Sequence, residues 1–305
     1  MQRSRLFLMI PAFALALTLG CSKGTDTPPP SGDTSAKKDK GKQTPKTLEP
    51  VEVKASGGIK GKVTFDGTPP EPKSLVEAIK KNEKDTDRCL AGDTNDPTWI
   101  IGPDKGVADV VVWVRPAGDK YFVVPDAKRK AEGEVAIDQP FCRFEPAVVA
   151  VYPTYFDPES KTLKPTGQKF LVKNSAPIGH NTNWSGNKRF NTGANLNIAS
   201  GGMAEINAVS EEPKKAGGED LIELKCNIHP FMTGWARVFD HPYFAISSGD
   251  VKEAKEFGMY EIKDVPAGTE LEVVYWHPSF GKEVKVAKKL TVKEGATEDV
   301  PISIK

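Results

Sequence analysis

From Gly58 onward, apolar positions come in short runs rich in β-branched residues, each broken by polar or turn-forming residues. Runs from Ile59 to Phe65, Asp109 to Arg115, Ala147 to Tyr152, Lys169 to Asn174, Met203 to Val209 and Leu221 to Cys226 fill the first part. Trp235 to Phe239, Tyr260 to Val265, Glu270 to Trp276, Glu283 to Val292 and Val300 to Ile304 continue the series. Several alternate with a period of two, as in Lys62-Val63-Thr64-Phe65 and Glu283-Val284-Lys285-Val286, the spacing of strands with one buried face. The chain is therefore expected to be all-β. Helical spacing is convincing only over Ser74 to Asn82, where Leu75, Val76 and Ile79 share a face, and it predicts a short surface helix.

The N-terminal region follows other rules. Arg3 and Arg5 precede the apolar run Leu6 to Leu19, which ends in Gly20-Cys21. That is the layout of a bacterial secretory signal, too short to span a membrane comfortably. Leu17-Thr18-Leu19-Gly20-Cys21 resembles a lipoprotein box, which implies acylation of Cys21 as the mature N-terminus. Ser22 in the next position implies, by the same resemblance, an outer-membrane anchor facing the periplasm. Residues 22–57, with Pro28-Pro29-Pro30 and Lys37-Lys38-Asp39-Lys40, have too little apolar surface to fold alone and are expected to form a disordered tether.

Composition narrows the chemistry. Lys+Arg 42 against Asp+Glu 41 leaves a formal charge of +1, which excludes a strongly basic nucleic-acid binder. Only four Cys, four His and five Met occur in 305 residues, so a metal site must be assembled from few side chains.

One segment concentrates them. Leu221 to Lys225 reads as a strand leading into Cys226-Asn227-Ile228-His229-Pro230-Phe231-Met232-Thr233-Gly234-Trp235, with the spacing Cys-x2-His-x2-Met. A loop leaving a strand can turn a thiolate, an imidazole and a thioether toward one point. With a second His, this set suits a type 1 copper centre of two His, one Cys and a weak axial Met. The segment Lys173-Asn174-Ser175-Ala176-Pro177-Ile178-Gly179-His180-Asn181 supplies that His where a strand ends in a turn. Zinc is the competing metal, although it has no use for a thioether.

Cys-x-x-His-Pro-Phe-Met-x-Gly after a distant His-Asn resembles the cupredoxins, with an amicyanin-like copper loop. The resemblance implies a Greek-key β-sandwich over residues 136–240, with His180, Cys226, His229 and Met232 as ligands to one copper. It makes Asn181 the residue that ties the two ligand loops together and Gly234 the residue that permits a tight return into the next strand. It also implies that His229 forms an exposed edge, ringed by Pro177, Ile178, Pro230 and Phe231, through which single electrons pass to periplasmic partners such as a c-type cytochrome or a dehydrogenase. Ser210 to Asp220 departs from the family and reads as an exposed polar insertion away from the metal.

Residue counts bear on this expectation. With Cys21 acylated, three thiols remain in an oxidising compartment, so Cys89 and Cys142 can pair and Cys226 stays free for metal. Beyond the two ligand histidines only His241 and His277 are left, too few for a trinuclear oxidase cluster and expected to cap loops and pack on aromatic neighbours. No nucleophile elbow, phosphate loop or carboxylate pair stands out, so the chain is not expected to be an enzyme.

Gly58 to Pro70 and Gly258 to Leu271 resemble opening and closing strands of a carboxypeptidase-regulatory-like β-sandwich. Residues 58–135 and 241–305 would then form one sandwich around an inserted copper domain, or the chain would hold two β-domains in tandem, with Gly58 to Gly133 packing on the cupredoxin region itself. An alternative function is a cell-envelope binding module contacting carbohydrate or protein through that sandwich, with copper held structurally.

Overall fold

The strand Val111–Pro116 opens Val-Val-Trp-Val without a polar position. Its side chains divide between two cores: Val112 and Val114 enter one, Val111 and Trp113 another. Glu270–Trp276 does the same, sending Leu271, Val273 and Tyr275 one way and Val274 and Trp276 the other. Strands buried on both faces lose the alternation that marks half-exposed ones. They form the middle of the molecule.

The computed structural model describes residues 48–213, 218–249, 251 and 253–305. Four larger sheets enclose three apolar cores, and the chain is an all-β sandwich protein. The signal segment, Cys21 and the tether through residue 47 lie outside the described residues.

In the first sheet Ser56–Phe65 pairs antiparallel with Met259–Pro266 and parallel with Thr297–Asp299 and Ile302–Ile304. The second sheet runs in the order Phe244–Ile246, Val111–Pro116, Glu270–Trp276, Lys285–Thr291. The N- and C-terminal flanks thus build a single sandwich around Ile59, Val63, Val112, Ile262, Leu271 and Val273. Of the two arrangements compatible with the sequence, the chain adopts the inserted one.

The inserted part forms its own sandwich. A five-stranded sheet runs Ala194–Ile198, His180–Ser185, Asp220–Lys225, Thr233–Val238, Val148–Val151. It faces a three-stranded sheet of Met203–Ile206, Gln168–Lys173 and Gly133–Ile137 across a core that includes Ile137, Val151, Phe170, Val172, Ile222 and Leu224. A third core, with Trp113, Trp276, Val148, Leu221 and Phe239, joins the two sandwiches.

Three expectations need correction. Most of residues 49–57, placed in the tether, enter strands: Glu49–Glu52 runs parallel to Lys120–Val123, Ser56 and Gly57 begin Ser56–Phe65, and Val51 and Val53 pack on the first core. The Ser210 to Asp220 segment is not an exposed insertion at its ends. Ser210 and Glu211 are buried, because the Ser210 hydroxyl lies 2.6 Å from Thr154 Oγ1 and Glu211 accepts from the Asn187 amide; residues 214–217 lie outside the described residues. Finally, helix α1, Val76–Asn82, is followed by a second helix, α2, Thr86–Leu90. Ile79 and Cys89 bury themselves in the inserted sandwich's core, so this helical arm belongs to that sandwich despite its place in the N-terminal flank.

Candidate metal centre

Strand register brings the ligand candidates together. His180–Ser185 pairs antiparallel with Asp220–Lys225, with Asn183 opposite Lys225. His180 and Asn181 therefore overhang the end of the neighbouring strand, beside the loop that begins at Cys226. That loop closes on itself: Met232 N donates to His229 O at 2.9 Å and Cys226 N to Met232 O at 3.4 Å, before Thr233 pairs back with Lys225. Across the site, Asn174 shapes the segment before His180. Its amide donates to Ile178 O and Ile198 O, both at 2.9 Å, and its Oδ1 accepts from Ala176 N at 3.1 Å.

The donor atoms converge. Cys226 Sγ lies 3.9 Å from His180 Nδ1 and 3.8 Å from His229 Nδ1, and the two Nδ1 atoms are 3.1 Å apart. A triangle with those sides has a central point about 2.1 Å from every corner, close to ordinary transition-metal distances to imidazole and thiolate. Cys226 is a free thiol, and it, both histidines and Met232 are all buried. Burial, with His229 next to it, lowers the His180 imidazole to about 4; burial also lowers His229, against the pull of Asp85. Both rings are neutral at pH 7, the form that coordinates metal.

Asn181 ties the loops as expected of it. Its Oδ1 accepts from Asn227 N at 2.6 Å and Ile228 N at 3.2 Å, while its amide donates to Asn195. Met232 sits in the same core as Cys226. Cys89 and Cys142 form a disulfide between α2 and the loop after Ile137. Gly234 has no positive φ of the kind that only glycine adopts easily, and a Cβ there would lie 3.1 Å from the Phe144 side chain, which would have to give by a few tenths of an ångström.

His229 departs from expectation most. It is fully buried rather than an exposed edge. Pro177 and Pro230 are exposed and Ile178 and Phe231 half-buried, but the helical arm covers the histidine itself: Asp85 Oδ2 is 3.2 Å from His229 Nε2, and Asn82 donates to Ile228 O at 3.1 Å. Asp85, Asn82 and Asn174 have no signature in the sequence. Asp85 stands 144 positions from His229, too far for any local spacing to point to it.

The other two histidines lie apart from this cluster. His241 Nδ1 accepts from Tyr243 N at 3.2 Å between aromatic rings, and His277 Nδ1 accepts from Ser279 N at 3.3 Å with its ring 4.1 Å from Trp99. Both cap loops.

No family model, curated protein or solved structure matches the chain. The geometry of the site therefore carries the functional reading.

Proposed function

We propose that this is an exported, cupredoxin-like type 1 copper protein that carries single electrons, in which His180, Cys226, His229 and Met232 would hold the copper. The observation that carries the reading is the buried triangle of one Sγ and two Nδ1 atoms. Copper bound there would supply one-electron chemistry, since a soft thiolate with a weak thioether accommodates both of its oxidation states.

The chain's own residues do the rest. Neutral imidazoles present their Nδ1 lone pairs, Asn181 holds both ligand loops in register, and the surrounding core keeps water from the donors. Four protein donors would leave no open position for a substrate, which favours a carrier over an enzyme. The Cys89–Cys142 disulfide fits an oxidising compartment. With the lipoprotein-like N-terminus, it favours the periplasmic side of the outer membrane, anchored through Cys21. A c-type cytochrome or a dehydrogenase there would exchange the electrons.

The mature chain loaded with copper is expected to show an intense visible thiolate-to-copper band that bleaches on reduction and returns on reoxidation. Cys226→Ser is expected to abolish it. A colourless copper-loaded protein, or an unchanged band in the variant, would overturn the assignment.

A further inference from the structure

The arm formed by α1 and α2 is pinned over the metal loop. Asn82 donates to Ile228 O at 3.1 Å, and the Arg88 guanidinium donates to Pro140 O at 2.8 Å while lying 4.2 Å over the Phe141 ring. Cys89 is bonded to Cys142, and a His229 ring nitrogen lies within 4.8 Å of both sulfurs. Between the two helices, Asp85 takes a left-handed backbone conformation, φ 52°, and aims its carboxylate at the edge of His229.

We infer that Asp85 is a positioning residue for the metal centre, supplied by the flanking segment rather than by the sandwich that holds the ligands. The inference rests on the copper reading above. With Nε2–H donated to Asp85 Oδ2 at 3.2 Å, the His229 tautomer is set and its Nδ1 lone pair faces His180 Nδ1 and Cys226 Sγ, at 3.1 and 3.8 Å. A carboxylate on the far nitrogen fixes ring orientation and raises the basicity of a ligating imidazole. Its negative charge also favours the more positive, oxidised state of the metal, so it holds the reduction potential down. His229 has no exposed surface, and the Asp85 side chain retains 37 % of its own. The carboxylate, not the ligand histidine, therefore meets solvent at this edge.

The test uses the copper-loaded chain. Asp85→Asn, nearly isosteric and uncharged, is expected to raise the reduction potential. Asp85→Ala is expected to raise it too and to weaken copper binding about 10- to 100-fold in competition with a chelator. Asn82→Ala loosens the same arm but keeps the Asp85 carboxylate and is expected to shift the potential less than either Asp85 variant. Wild-type potential and affinity in both Asp85 variants would overturn the inference, as would an equal shift in Asn82→Ala, which would assign the effect to packing of the arm. Should Asp85→Ala fail to fold, the Asn variant decides alone. A wild-type protein that binds copper without the thiolate band overturns the copper reading itself, a result distinct from a coloured wild type whose Asp85 variants match it.

Discussion

At the scale of single residues, the ligand loops depend on one amide. Asn181, itself buried, receives two backbone N–H groups on Oδ1, from Asn227 and Ile228, in part-buried hydrogen bonds. Asn181→Ala strands both donors, and a buried donor without a partner costs about 1–3 kcal/mol. Urea denaturation of the metal-free protein is expected to show a loss of about 2 kcal/mol or more. Asn181→Asp, which keeps the acceptor, is expected to lose less; equal losses would mean that the acceptor is not what matters. The candidate ligands were legible in the sequence because Cys226, His229 and Met232 lie on one loop and His180 ends a recognisable turn. Asp85 was not, because strand pairing and a disulfide, neither visible in local spacing, bring it to His229.

At the scale of elements, the disulfide is the joint between the helical arm and the inserted sandwich. It closes a loop with a sequence separation of 53, and the loop-entropy relation assigns a bond of that span about 4 kcal/mol. Replacing Cys89 and Cys142 together by Ser is expected to lower unfolding stability by a few kcal/mol and to speed proteolysis within α1 and α2. If proteolysis of the arm were unchanged, the hydrogen bonds from Asn82 and Arg88 alone would be holding it. Long strands were readable from β-branched runs: Glu270–Trp276 falls where its run does. Short strands with polar faces were not. His180–Ser185 carries Asn181, Thr182 and Asn183, and Ala194–Ile198 is exposed along most of its length, so neither shows an apolar run. Their backbone pairing, rather than apolar burial, makes them strands.

At the scale of the whole molecule, the two sandwiches are welded rather than tethered. Trp113 packs 5.5 Å from Phe239 and under the Arg237 guanidinium, whose centre lies 4.8 Å above the ring. Trp113→Ala is expected to cost about 3–5 kcal/mol and to make the junction between the sandwiches the first site of limited proteolysis. Stability of the metal-free protein is further expected to depend on pH through groups buried in several cores. Burial lowers His241 and His277 to about 3, and burial with neighbouring His229 lowers His180 to about 4; His229 is lowered as well. A depressed imidazole contributes its full stability above its unfolded value near 6.5 and loses it as pH falls toward the folded value. Two carboxylates oppose this: burial, with Glu219 beside it, raises Asp240 to about 7, and burial raises Asp109 to about 6. Their contribution is complete below about pH 4 and is lost as pH rises through those values. Three strongly depressed imidazoles, with His229 acting in the same direction, outweigh two carboxylates, so stability should rise between about pH 4.5 and 6.5. Each group contributes a slope of roughly 1.4 kcal/mol per pH unit within its window. His277→Gln, which can still accept from Ser279 N, should flatten that rise by about one such step, and Asp240→Asn should steepen it by about the same. Urea midpoints measured across this range check both signs, and a His277→Gln profile parallel to wild type would show that the buried imidazole does not titrate with unfolding.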